Sequence, residues 1–141
     1  MNNCAGLYLL LAAGFSRRFG QAKQLYPLPS GHTIIQASIN ALEASGINFV
    51  VVVRDDDAAL ASHLKILKVN TITVGNAYEG LSSVIAEATA KLDLTHIEWL
   101  GVCLADMPYI KPTTLQKLTS HTSCTAIVRP RYLTHCGHPV L

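Results

Sequence analysis

Short apolar runs alternate with amphipathic stretches along this chain, at intervals that fit strands and helices taking turns. Leu7–Ala12 is an apolar run of strand length. Ile35, Ile39 and Leu42 then recur at helical spacing, and Gly46 supplies a helix stop. Phe49–Val53 is rich in β-branched valine, the pattern of a strand buried on both faces. Asp55, Asp56 and Asp57 open a helix towards Leu64; acids at that end favour the helix dipole. Val69–Val74 predicts a third strand, and Leu81, Val84, Ile85, Ala88 and Leu92 share one helical face. Ile97–Leu104 predicts a fourth strand, the stretch around Pro112–Leu118 a helix, and Ala126–Val128 a fifth strand. Strands alternating with helices predict βαβ units, hence an α/β, three-layer αβα fold with a mostly parallel sheet.

Composition narrows the reading. At 141 residues with no repeat, low-complexity segment or linker, residues 1–141 read as a single domain. Half the residues are hydrophobic and 14% are charged, which suits a well-cored globular chain. A net charge of +2 argues against a nucleic-acid partner. No segment approaches the ~20 apolar residues of a membrane span. The start, Met1-Asn2-Asn3-Cys4, lacks the basic region of a secretory signal, so a cytoplasmic setting is expected. Cys4, Cys103, Cys124 and Cys136 show neither C-x-x-C spacing nor a zinc pattern.

The positive charge is concentrated just after the first strand. Ala12, Ala13 and Gly14 end the apolar run, and Arg17, Arg18 and Lys23 follow, with no Asp or Glu anywhere before Glu43. Small residues let the backbone approach an anion closely, and N–H groups and cations then neutralise it. Gly75-Asn76 and Gly80-Leu81-Ser82-Ser83 follow the third strand, and Asp106 follows the fourth. All three segments therefore fall at carboxyl ends of strands, the edge where open α/β sheets bind ligands. Two nucleotide motifs do not fit. A P-loop needs G-x-x-x-x-G-K-[ST], but Gly20 is followed by Gln21; a dinucleotide loop needs G-x-G-x-x-G, but Gly14 is followed by Phe15 and Ser16.

The stretch Leu11 to Lys23, L-A-A-G-x-S-x-R-x-G-x-x-K, resembles the signature of nucleotidyltransferases with the nucleotide-diphospho-sugar transferase (Rossmann-like) fold. Within that group it is most similar to the molybdenum-cofactor nucleotidyltransferases. Leu104-Ala105-Asp106-Met107-Pro108 resembles their metal-binding segment, and Gly137-His138-Pro139-Val140 their late G-H-P-V element. Asn76-Ala77-Tyr78-Glu79-Gly80-Leu81-Ser82-Ser83 is similar to a region of the cytidylyl branch, and Ala13 departs from the Leu-Ala-Gly-Gly of the guanylyl branch. Sugar- and polyol-phosphate transferases usually carry Pro-Lys where this chain has Ala22-Lys23. Relatives continue beyond the G-H-P-V element, so the resemblance implies a chain short of the family's C-terminal part. Uncovered sheet surface and self-association are then expected.

The resemblance implies transfer of CMP from CTP to the phosphate of molybdopterin, with Mg²⁺ and release of pyrophosphate; the alternatives are GTP as donor, a sugar or polyol phosphate as acceptor, and an inactive, truncated nucleotide-binding remnant. It implies Asp106 as the metal ligand, although an Asp ahead of Pro108 also serves as a helix cap. It implies Lys23 and Arg18 as the cations for the triphosphate, and Leu11, Ala12, Ala13, Gly14 and Ser16 as nucleotide contacts. Asn76, Gly80, Ser82 and Ser83 stand where they serve equally as ribose or base contacts and as N-caps. His138 is either an acceptor-side group or a turn histidine before Pro139.

Overall fold

The computed structural model describes residues 5–14, 23–122 and 126–137. Four strands form one all-parallel sheet: β1 (Gly6–Leu11), β2 (Phe49–Arg54), β3 (Thr71–Val74) and β4 (Trp99–Leu104). Their order is β3-β2-β1-β4, so β1 is hydrogen-bonded on both edges. Leu9 lies opposite Val50 on one side and Val102 on the other. The ladder runs past the strand ends: the Ala12 N–H donates to the Val52 carbonyl at 2.8 Å, and the Ala105 N–H to the Leu11 carbonyl at 3.0 Å.

The helices are α1 (Ile34–Ser45), α2 (Ala58–Leu67), α3 (Leu81–Ala90) and α4 (Pro112–Thr119). Local chemistry sets their ends. Thr33 caps α1 by accepting from the Gln36 N–H, and Gly46 closes it in the left-handed region. Asp57 caps α2 by accepting from the Leu60 N–H, while Asp55 and Asp56 stay in the turn before it. Pro112 occupies the first turn of α4, where a missing N–H costs nothing.

Alternation along the strands divides the core in two. Tyr8, Leu10 and Ala12 of β1 and its end face a cluster that includes Ile35, Ile39, Leu60, Leu64 and Leu115, from α1, α2 and α4. Leu9, Leu11 and Ala13 face the other way, onto Val84 and Ala88 of α3. Three helices therefore cover one face and α3 the other. On the α3 side, Leu7, Leu100, Val102 and Leu104 are only partly buried.

At the amino end of the sheet, two aromatic rings fill space that adjacent glycines leave open. Tyr8 and Trp99 meet edge to face, with centroids 5.3 Å apart. A Cβ on Gly101 would stand 2.5 Å from the Tyr8 ring, so only glycine fits there. The Tyr8 hydroxyl is buried with no hydrogen-bond partner among the described residues.

The predicted strand at Ala126–Val128 does not form. Ala126 enters one isolated bridge, Ile127 is 78% exposed, and Pro130 lacks the donor that a continuing ladder needs. The chain instead makes a two-residue antiparallel hairpin, β5 (Arg131–Tyr132) with β6 (His135–Cys136). The predicted helical face through Leu92 is also shortened, because α3 ends at Ala90 and Leu81 is 48% exposed over the sheet edge.

Burial opposes the ionisation of two core groups. The Cys103 thiol is pushed up to about 12 by desolvation, with the Asp106 charge adding to it. Tyr8 is raised above its ordinary 10.0, mainly by desolvation. Each ionises earlier in the unfolded chain, so stability is complete below the ordinary values of 9.0 and 10.0 and falls as pH rises above them. Thermal melts between about pH 8 and about pH 11 should show a falling midpoint that is shallower in Cys103→Ala and in Tyr8→Phe. Tyr8→Phe should also gain about 1 kcal/mol at neutral pH, since it removes an unsatisfied buried hydroxyl. A midpoint independent of pH across that range would contradict both assignments.

Candidate active site

The carboxyl end of β1 is where the sheet's connections part. One crossover leads to β2 on one side; the later chain returns as β4 on the other. Such a switch point leaves a crevice outside the strand ends. A cleft of about 390 Å³ lies there. Its floor is Leu11, Ala13 and Gly14 after β1, together with Leu104 and Ala105 at the end of β4. Ala77, Gly80, Leu81 and Val84 form one wall, and Lys23, Gln24 and Asp106 supply its polar side chains.

Lys23 and Asp106, 83 positions apart in sequence, meet across this cleft. The Lys23 ammonium donates to the Asp106 carboxylate at 3.4 Å, and both side chains remain substantially exposed, at 36% and 45%. Lys23 begins a single 3₁₀ turn, Lys23–Leu25, whose Gln24 is buried. A surface pair of this length contributes little to folding. Its consequence is a cation and an anion held in one open, mainly apolar crevice.

The wall opposite starts with Gly80. Its φ of 113° and ψ of 179° lie where side-chain-bearing residues are strongly disfavoured. From there α3 starts at a glycine N-cap, which offers no cap side chain to the first N–H groups of the helix. A clasp behind this wall fixes the approach to it. Glu87 accepts from the Gly75 N–H through both carboxylate oxygens at 3.1 Å, and from the Lys91 ammonium at 2.9 Å. The Lys91 bond, then the Gly75 N–H, hold the Glu87 carboxyl below its ordinary range.

Of the residues singled out in the sequence, Leu11, Ala13, Gly14, Lys23, Gly80 and Asp106 are brought together at the cleft. Ala12 follows β1 but belongs to the opposite core. Asn76 is occupied within the protein, its amide donating to the Ser83 carbonyl at 3.1 Å, while its own oxygen is buried without a partner among the described residues. Ser82 is exposed at the start of α3, and Asn76, Ser82 and Ser83 do not line the cleft. Ser16, Arg18 and His138 lie outside the described residues, as does Arg17.

One residue without an assigned role in the sequence stands close behind the floor. Arg54 ends β2, and its guanidinium donates to the Gly14 carbonyl at 3.0 Å and to Asp56 at 2.8 Å. Asp57 lies 3.9 Å away on the same side chain. The signal in the sequence was an arginine closing a valine run directly before three aspartates.

Among the described residues, no group of three or more His, Cys, Asp or Glu is arranged to hold a metal. A single carboxylate such as Asp106 still suits Mg²⁺, which takes most of its shell from water and phosphate oxygens. Nor is any described helix long and apolar enough to cross a membrane.

The parallel sheet carries helices on both faces and a cleft at its switch point, and together with the family match the fold is that of the nucleotide-diphospho-sugar transferases. A match to the MobA-like NTP transferase domain spans residues 8–141, and the chain belongs to that nucleotidyltransferase family. No curated protein matches it in sequence. Its fold is similar to that of Rv0371c from Mycobacterium tuberculosis, with a TM-score of 0.84 and 23% identity over 99% of this chain and 72% of that one. The manganese complex of Rv0371c gives 0.78 and 22%, over 96% and 69%. CMP:2-keto-3-deoxy-manno-octonic acid synthetase complexed with CTP gives 0.68 and 20%, over 82% of this chain and 46% of that one.

The Arg54 bond to Gly14 yields a stability prediction. Arg54→Leu should lower the unfolding free energy by roughly 1 kcal/mol, the typical net worth of one hydrogen bond. Arg54→Lys should recover only part of this, because an ammonium lacks the guanidinium fork. Urea unfolding midpoints test both; a Leu variant with the wild-type midpoint would show that the bond contributes nothing.

Proposed function

We propose that this chain transfers CMP from CTP to a phosphorylated acceptor, molybdopterin, and releases pyrophosphate. The observation that carries the reading is the meeting of Lys23 and Asp106 in the switch-point cleft, beside the uncapped start of α3. The CTP complex of a protein with a similar fold supports the choice of nucleotide, and the manganese complex of Rv0371c supports a divalent metal.

The chemistry asks little of the protein beyond position and charge. An acceptor phosphate oxygen is already nucleophilic and forms a bond to the α-phosphorus of CTP. The bond between that phosphorus and the bridging oxygen of pyrophosphate breaks, and its electron pair leaves with the pyrophosphate. Lys23 neutralises charge on the triphosphate and on the departing pyrophosphate. Arg18 is proposed as a second cation on the same charge. The α3 start and the backbone at Leu11, Ala13 and Gly14 hold the nucleotide, with Ala12 behind them, and Ser16 is proposed as a further contact. Asn76, Ser82 and Ser83 are proposed for the sugar and base side, where Asn76 bonds the Ser83 carbonyl, and His138 is proposed as an acceptor-side group. Asp106 would hold Mg²⁺, which supplies charge neutralisation at the phosphates when bound.

A second reading keeps the donor and changes the acceptor to a sugar phosphate or sugar acid. The synthetase with a similar fold, named for a CMP-linked sugar acid, favours it.

Pyrophosphate release from CTP or GTP with Mg²⁺, measured against molybdopterin and sugar-phosphate acceptors, decides between them. CTP with molybdopterin should give the highest kcat/KM. Lys23→Ala should lower it roughly ten- to hundredfold, the equivalent of about 1.5–3 kcal/mol for one charge-assisted bond. Equal turnover of CTP and GTP, or turnover of sugar phosphates alone, would replace the first reading. No binding of either nucleotide would remove both.

A further inference from the structure

Asp106 is aimed by the residue before it. Ala105 lies one position beyond β4 and is 1% exposed, with its N–H held by the Leu11 carbonyl at 3.0 Å. Its carbonyl faces α1, where the Ser38 hydroxyl donates to it at 3.3 Å across 67 positions of sequence. Ser38 is 1% exposed and sits among Ile34, Ile35, Ile39, Ala41 and Leu42, the apolar face that α1 turns to the sheet. The same hydroxyl lies 3.4 Å from the Ile34 carbonyl of its own helix, so one proton is shared between two acceptors.

A buried hydroxyl in a mainly apolar stripe costs desolvation unless it does something an alanine cannot. Here it satisfies a buried carbonyl and fixes a peptide plane. The Ala105 carbonyl and the Asp106 N–H belong to the same planar unit, so holding one end sets the direction in which the Asp106 Cα leaves the strand. With Leu11 on one side of Ala105 and Ser38 on the other, Asp106 directly follows a residue tethered at both backbone polar groups.

We propose that Ser38, which has no access to the cleft, is a positioning residue for Asp106 and thereby for the divalent metal. The proposal rests on Asp106 being the metal carboxylate, as read above. It predicts an effect on metal-dependent nucleotide binding that leaves metal-free binding alone, because the hydrogen bonds of the Ser38 hydroxyl go to Ile34 and Ala105 and reach neither Lys23 nor the start of α3.

The test uses calorimetric affinities for CTP alone and for Mn²⁺ with CTP, together with melting temperatures. Ser38→Ala should reduce the gain in affinity that Mn²⁺ confers by about tenfold, the scale seen when an outer-shell partner of a metal ligand is lost. Affinity for CTP alone should stay at the wild-type value. Ser38→Thr and Ser38→Val share one shape and differ in the hydroxyl; Thr should retain more of the Mn²⁺ gain than Val. A full Mn²⁺ gain in Ser38→Ala, even with a lowered melting temperature, would overturn the proposal. Equal gains in the Thr and Val variants would overturn it as well. Asp106→Asn separates this from failure of the underlying reading. If Asp106→Asn abolishes the gain and Ser38→Ala keeps it, only the role of Ser38 falls. If the wild type shows no gain, or Asp106→Asn keeps it, the metal role of Asp106 falls, and Ser38 with it.

Discussion

β1 is hydrogen-bonded to a neighbour on each edge and packed by side chains on each face, and the placement of every other element follows from that. A strand saturated in this way has only its two ends left to change direction. Parallel pairing then requires each neighbouring strand to arrive by a crossover from the far end of the sheet. Because β2 and β4 flank β1 on opposite sides, the chain above its carboxyl end divides and leaves a hollow between the two departures. The hollow is a by-product of pairing, so it exists before any side chain is chosen to fill it. Small residues at Ala13 and Gly14 keep it open, and the pair across it comes from segments that no local interaction would join.

Structural rigidity and chemical openness are sorted to opposite ends of the same strand. Near the amino end, Tyr8 and Trp99 lie against the glycines of neighbouring strands, and the packing tolerates even an unsatisfied hydroxyl. Near the carboxyl end, contacts are made by backbone carbonyls tied one at a time, Gly14 by Arg54 and Ala105 by Ser38. Dense packing locates the site, and single hydrogen bonds then orient it. The two faces are also unequal, with three helices on one and α3 on the other, so the sheet's β4 flank stays partly open.

Four strands and four helices were legible because the chain is buried in alternation and its apolar runs are bounded by turn residues. The boundary errors were small: the third strand starts at Thr71 rather than Val69, and the fourth at Trp99 rather than Ile97. Ala126–Val128 misled because apolar character over three residues says nothing about an available partner, and Pro130 follows at once. Within the site, Lys23 and Asp106 were legible through a general property of parallel sheets, that loops after strands share an edge. Arg54 and Ser38 were not. Each acts on a backbone carbonyl 40 or 67 positions away, and a carbonyl leaves no mark in the sequence. Asn76 illustrates the converse: a polar residue at a promising position whose amide is already committed to Ser83.

Gly80 carries an implication for how this chain tolerates change. Its dihedrals place it where any Cβ meets its own backbone, although the space around it is empty and a larger group would meet no neighbour. Substitution there is therefore limited by the residue's own torsions and cannot be relieved by compensating changes elsewhere in the core. Gly101 differs, because a smaller partner at Tyr8 would make room for a side chain. Positions of the first kind evolve alone and stay fixed, whereas those of the second kind drift in pairs. The wall of the cleft thus has a mutational ceiling set by backbone geometry, independent of which acceptor the enzyme comes to use.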